Sequence, residues 1–324
     1  MELGASVAIV DSSVQGCGAN TYNIAPSRDR VLLIPLDIGD AADFASEIRA
    51  ADVIFNLAGE ISHTQSMRFP ERDLDCNAVA HLRFLEVCRR VRRGVRIVFA
   101  GTRQVYGRPQ YLPVDESHPL DAVDFNGIHK LAAAQYHLLL SNLGELDAAV
   151  LRLTNVYGPR MALDLPWQGF MSVFIHAALL GEPLQVYGDG RQLRDPVFVD
   201  DVVDALLMAG AVERLPSRTY NVGGAEPLSL ADIAACFAQA GGRSTVRCVP
   251  FPEGRKAIDI GSYWTDWSLI QRELGWQPRI KIEDGARSTL EYYRRRMSHY
   301  TDAPATEPFR EARGAEALEP AAAR

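Results

Sequence analysis

A chain of 324 residues, 47% apolar and 23% charged, can bury one or two sizeable cores and reads as an ordinary soluble globular protein. Its formal net charge of −7 excludes a broad basic footprint, so neither nucleic acid nor an acidic membrane surface is an expected partner. The five cysteines (Cys17, Cys76, Cys88, Cys236 and Cys248) are odd in number, scattered and without a C-x-x-C spacing. They read as free thiols in a reducing cytoplasm rather than a disulfide framework or a zinc site, and no metal is expected. No apolar run approaches the ~20 residues that span a bilayer, and Met1 to Ala5 lacks the start of a secretory signal. A cytoplasmic location is the expectation.

Short apolar runs alternate with helical patterns over the first two-thirds, as a parallel sheet covered by helices requires. Strands are predicted at 6–10, ending at Asp11, at 31–36, ending at Asp37, and at 53–57 after a helix over 41–50. Leu82, Leu85, Val87 and Cys88 recur at helical spacing and predict a helix over 80–92 with a basic outer face. Strands at 95–99 and 149–153 flank a long helix over 127–141. After Arg160 the pattern is broken by Pro, Trp and Gly, then resumes as a strand from Leu184 into the turn Gly188-Asp189-Gly190. A strand-to-helix step follows at 197–205 and another strand at 219–223. Residues 225–295 read as a smaller mixed lobe, and the end from about Ser298 reads as a disordered tail.

Three segments carry the chemistry: Ile97-Val98-Phe99-Ala100-Gly101-Thr102-Arg103-Gln104-Val105-Tyr106-Gly107, Asn126-Gly127-Ile128-His129-Lys130, and Leu151-Arg152-Leu153-Thr154-Asn155-Val156-Tyr157-Gly158-Pro159-Arg160. Together they resemble the extended short-chain dehydrogenase/reductase family, the NAD-dependent nucleotide-sugar epimerases and dehydratases. The resemblance runs over roughly residues 2 to 296. It implies an α/β fold: a Rossmann-like doubly wound parallel sheet with a smaller mixed α/β C-terminal substrate lobe. Residues 1–160 would form the NAD-binding domain and 161–297 mainly the substrate-binding lobe, with some segments returning to the sheet, before the tail 298–324. The family opens with a strand, a Gly-rich turn and a helix that hold the pyrophosphate. Residues 1–11 instead resemble the second unit, so a start upstream of Met1 or a truncated product is expected.

The resemblance also implies roles. Asp11 would bind the adenosine ribose hydroxyls, and an acid there favours NAD over NADP. Asp37, Ile38, Leu57, Ala58, Gly59 and Asn77 would lie against the cofactor, and Lys130 would bind its nicotinamide ribose. Thr102 matches the family Ser or Thr that hydrogen-bonds the reacting sugar hydroxyl. Asn155 and Arg194 match residues that hold the substrate's diphosphate, a group suited to a guanidinium fork. Arg160 could add to them. Each has a plain structural reading beside the functional one: Asp11 as a strand-end turn, Thr102 as a cap, Lys130 as a surface lysine along an apolar face. Asp200 and Asp201 read as helix caps, and Trp276 and the run Tyr220 to Gly224 as structural features of the second lobe.

Asn126 departs from the family, whose Tyr-x-x-x-Lys supplies the proton acceptor; an amide cannot titrate. The replacement bases are His63 first and Tyr106 second, then His129 and Lys130, with His129 about 100° round the helix from Lys130 and expected to face elsewhere. His81 and His137 read as structural. Family dehydratases carry Asp-Glu where this chain has Arg103-Gln104, so water elimination has no evident catalyst. The expectation is therefore an NAD-dependent nucleotide-sugar epimerase or oxidoreductase working by hydride transfer at a sugar hydroxyl, as a homodimer. A ketoreductase and a non-catalytic nucleotide-binding pseudoenzyme are the alternatives.

Overall fold

Runs of β-branched and apolar residues form the strands of a parallel sheet in the computed structural model, which describes residues 4–301 apart from 15–16, 166, 168, 252–255 and 257. The tail expected from residue 298 lies, beyond residue 301, outside the described residues. Strands β1 (Val7–Val10) and β2 (Val31–Ile34) pair in parallel with each other. Strands β3 (Val53–Asn56), β4 (Arg96–Thr102) and β5 (Asp147–Leu153) form a second parallel sheet, completed beyond β5 by the strand Thr219–Val222. Among the described residues β1 pairs only with β2, and β3 only with β4, so each keeps one unpaired edge.

Burial runs almost unbroken along β4 and β5, the mark of strands covered on both faces. Ile97, Phe99, Ala148 and Val150 pack against Leu85, Leu140, Ala133 and Ala134 of the helices Ala80–Val91 and Phe125–Asn142. Val98, Ala149 and Leu151 point the other way, onto Val202, Ala205 and Ala209 of the helix Val199–Ala211. The predicted strand 31–36 stops at Ile34 because Pro35 has no N–H for the ladder. The predicted helix 41–50 is a 3-10 stretch, Ile38–Phe44, kinked at Asp40, followed by a short α-helix, Ala45–Ala50.

The second lobe has its own core, in which Tyr157, Phe174, Ile175, Phe198, Phe237 and Leu290 join the helices Phe170–Leu180, Leu230–Gly241 and Ile282–Arg294. Arg96 ties the return segment to the sheet. Its guanidinium pairs with Asp147 at 2.6 Å and donates to the carbonyls of Ala209, Val212 and Glu213 at 3.0, 2.8 and 3.3 Å. No described helix is long and apolar enough to cross a membrane.

The helix Val199–Ala211 has no side-chain cap, which corrects the expectation for Asp200 and Asp201. Asp201 is buried and its Oδ2 accepts the N–H groups of Arg279 and Ile280 at 3.1 and 3.0 Å, while its carbonyl accepts Trp276 Nε1 at 2.8 Å. The carboxylate thus pins the segment after Trp276 rather than its own helix. Asp201→Ala leaves two N–H groups without their acceptor and should cost ~1–3 kcal/mol, read as a fall in the midpoint of urea unfolding; an unchanged midpoint would show that water replaces the carboxylate.

Candidate active site

In a parallel sheet all strands end at one edge, and ligands bind in the crevice beyond it. Strand β3 leaves the sheet through Leu57, Ala58 and Gly59, and Gly59 is held at φ +135°, where side-chain-bearing residues are strained. A Cβ there would lie 2.6 Å from Asn77 Oδ1 and 3.0 Å from Lys130 Nζ. Bare backbone, a buried amide and a buried lysine therefore converge at one point. Asn77 is wholly buried, yet neither atom of its amide has a partner. Burial pushes the Lys130 ammonium below the ordinary lysine value, against the nearby Cys76, Asp73 and Glu60. These groups fit a dinucleotide: a backbone that can be approached closely, an amide awaiting partners and a cation. Asp11 stands exposed at the end of β1, where its Oδ1 accepts Ser13 N–H at 2.7 Å. Asp37 caps the stretch beginning at Ile38, accepting Gly39 N–H at 2.7 Å. Leu57 is exposed and Ala58 half-buried.

The next strand end carries the proton-transfer groups. Thr102 closes β4 and accepts Gln104 N–H at 3.2 Å, which leaves its own O–H free to donate. His63 opens the helix His63–Arg68, which Ser62 caps through Gln65 N–H. The His63 Nδ1 donates to Asp124 Oδ2, and its Nε2 accepts the Gln104 amide at 2.6 Å. The other oxygen of Asp124 caps the helix Phe125–Asn142, accepting Gly127 N–H at 2.7 Å. Burial alone would raise the Asp124 pKa. The hydrogen bond and charge of His63, with Gly127 and the Arg103 charge, outweigh it and hold the carboxyl below its ordinary value. The His63 side chain is 40% exposed while that of Asp124 is 2% exposed, so the imidazole is reachable and its anchor is not.

Asn126 is wholly buried and turned inward: its Nδ2 donates to Glu60 O at 3.0 Å and to Asp73 Oδ2 at 2.8 Å, and its Oδ1 has no partner. His129, expected to face elsewhere, bonds the second oxygen of the same Asp73 at 2.7 Å and is buried. Tyr106 is a structural pillar. Its hydroxyl donates to Asn221 at 2.6 Å and accepts from Arg152 at 2.7 Å, its ring is fully buried, and burial pushes its pKa up to about 12. That is a correction: a sealed phenol with an elevated pKa is a poor proton acceptor, and only His63 of the two first-ranked bases is open. His81 and His137 share Asn56 at 3.0 and 3.2 Å and are held neutral by burial, at about 3 and about 4.

On the lobe side, Asn155 follows β5 and its buried Oδ1 has no partner. Arg194 is buried, donates to Leu193 O and Gly261 O at 2.8 and 2.6 Å, and lies 3.9 Å from Asp259. Burial and the like charge of Arg103 lower its pKa to about 10. Beside it Asp195 is pushed up to about 7 by burial, with Oδ2 accepting Thr265 N–H at 3.0 Å. Asp124, Asp73 and Asp195 were not singled out by the motifs. Of these only Asp124 left a signal, an acidic residue at the cap position of the long predicted helix.

The fold and this strand-end site are those of a nucleotide-cofactor oxidoreductase of the Rossmann type. The chain belongs to the NAD dependent epimerase/dehydratase family, whose model matches residues 2–223. Its cofactor is NAD, as that description states. It is 32% identical over 300 residues to UDP-glucose 4-epimerase of Mycolicibacterium smegmatis, covering 90% of this chain and 91% of that one. Among solved structures it resembles UDP-glucose 4-epimerase of Thermotoga maritima with UDP-glucose, at 27% identity and a TM-score of 0.80, covering 91% of this chain and 93% of that one. It also resembles a dTDP-glucose 4,6-dehydratase of Streptomyces venezuelae with NAD bound, at 26% identity and a TM-score of 0.81, covering 91% and 89%.

Two measurements test the geometry. Gly59→Ala forces a strained φ and a 2.6 Å contact with Asn77 Oδ1, so NAD affinity should fall by tenfold or more, roughly the effect of ~1.4 kcal/mol; calorimetric titration of NAD reads it, and unaltered binding would place the cofactor elsewhere. The second concerns acid. Because the folded-state pKa of Asp124 is depressed, its contribution to stability is present above the ordinary carboxylate value and lost as pH falls through the folded value. Asp124→Asn should therefore be clearly less stable than wild type at neutral pH, with the gap closing in strong acid. A gap that is constant with pH would mean the carboxylate charge is not what His63 and Gly127 hold.

Proposed function

We propose that the protein is an NAD-dependent nucleotide-sugar epimerase acting by hydride transfer at a sugar hydroxyl, with His63 as the group that takes the hydroxyl proton. The observation that carries this reading is the gathering of unpaired buried polar atoms around the strand ends. Asn77, Gln104, Asn126 and Asn155 each hold a side-chain atom with no partner, and buried polar atoms are otherwise almost always paired. A ligand rich in hydroxyls and phosphates supplies what they lack. The similarity to UDP-glucose 4-epimerases supports a UDP-hexose.

Bound NAD supplies the hydride acceptor. The chain's own residues do the rest. Asp124 keeps the proton on His63 Nδ1, so Nε2 carries the lone pair. In the ligand-free site the Gln104 amide occupies that lone pair, and a sugar hydroxyl would displace it. The Thr102 O–H would hold the same sugar oxygen as it becomes a carbonyl. The Lys130 ammonium sits beside Gly59, where it would steady the cofactor's ribose. Asn155 and Arg194 would hold the diphosphate. Asn126 takes no proton; it fixes the Glu60 carbonyl and Asp73.

Interconversion of UDP-glucose and UDP-galactose with added NAD tests the reading. His63→Ala should lower kcat by about 10²-fold or more, the typical contribution of a general base, and remove the acidic limb of the pH profile. Asp124→Asn should lower kcat less and leave KM near wild type. Undiminished turnover in His63→Ala removes His63 from the mechanism. Turnover in Asn126→Tyr but not in wild type would favour a pseudoenzyme, and net consumption of reduced cofactor a ketoreductase.

A further inference from the structure

The side chain after Thr102 has no role in this account. Arg103 opens the 3-10 turn Arg103–Tyr106, is 9% exposed, and its guanidinium lies 5.0 Å from the centroid of the Tyr263 ring. Among the described residues it makes no hydrogen bond, and no carboxylate stands within 4.0 Å of it. A guanidinium brings five N–H donors and a fixed charge, and removing both from water without an acceptor is costly. Aromatic stacking offsets part of that cost but accepts none of the N–H groups. Asp124, Asp195 and Asp259 favour its charge from a distance and do not pair with it.

Its position says what is missing. Gln104, the next residue, contacts His63, and Asp124 acts on Arg103 electrostatically from the same side. Arg194 acts on it from the other side, the one expected to hold the diphosphate. Arg103 therefore stands between the proton-transfer end and the diphosphate end of the cleft, directly after the threonine placed at the reacting hydroxyl. An anion there belongs to the sugar ring. In a hexuronate the carboxylate is borne on the carbon next to the one carrying the C4 hydroxyl, and a planar carboxylate matches a guanidinium fork with two parallel bonds.

We propose that Arg103 is the recognition site for a carboxylate on the sugar ring, so that the preferred substrate is a nucleotide-linked uronic acid. The proposal rests on the reading of the cleft as a nucleotide-sugar site.

The test is titration of UDP, UDP-glucose and UDP-glucuronic acid into the full chain at saturating NAD, for wild type, Arg103→Gln and Arg103→Met. Wild type should bind UDP-glucuronic acid about tenfold or more tightly than UDP-glucose, the effect expected of a bidentate charge-assisted pair. Both variants should bring the two sugars within about twofold by weakening the uronate alone, with UDP unchanged, which also reports that the cleft is intact. Wild type without a uronate preference overturns the proposal. So does an equal loss for UDP and both sugars in the variants, which would place the diphosphate on Arg103. Binding of none of the three by wild type would instead defeat the nucleotide-sugar reading, and this proposal with it, whereas UDP binding without sugar preference defeats this proposal alone.

Discussion

The site depends on one buried carboxylate. Asp124 uses one oxygen to cap the helix that carries Asn126 and Lys130, and the other to hold His63 on a different helix. A backbone cap fixes where the helix begins, and the imidazole bond fixes His63 relative to that beginning. Lys130 and His63 are therefore registered against each other through a single side chain. Asp73 does the same one turn further along, with Asn126 on one oxygen and His129 on the other. Buried charges of this kind are costly unless fully bonded, and here the bonds join the segment 59–63, the helix of Asp73 and the long helix. The arrangement is rigid before any ligand arrives, the condition under which polar groups act most strongly on developing charge.

Seen this way Asn126 is an integrated part of the packing. An amide nitrogen has two hydrogens, and both are engaged, one on the Glu60 carbonyl and one on Asp73. A phenol has one hydrogen and could not make both bonds. The residue that departs from the family's pattern thus holds together the loop and the carboxylate that His129 also needs.

Much of the fold was legible because its strands are short apolar runs between helical rhythms. Strands at 53–57, 95–99 and 149–153 lie within a residue or three of the observed ones, and the sheet is parallel as α/β alternation requires. What the sequence conceals is which way a polar side chain turns. His129 was expected to point away from the site because it is one position from Lys130, yet Asp73 draws it inward. Tyr106 lies in a motif that suggests chemistry, yet Arg152 and Asn221 enclose it. Asp201 looked like a cap because it opens a helix, yet its acceptor oxygen reaches residues 78 and 79 positions later. In each case the deciding partner is distant in the chain, and helical spacing carries no record of it.

Arg96 has a consequence for the order in which the chain assembles. The last carbonyls of the helix Val199–Ala211 have no partners within that helix, and those of Ala209 and Gly210, with Val212 beyond it, are met by a strand residue 113 to 116 positions earlier. The guanidinium is in place only when β4 and β5 are aligned, because Asp147 on β5 orients it. The helix can start on its own, but its final turn is completed from outside. Formation of that turn is thereby made conditional on a long-range pairing, the kind of contact that closes late and slows folding, and the end of this helix becomes a local report of whether the central sheet has formed.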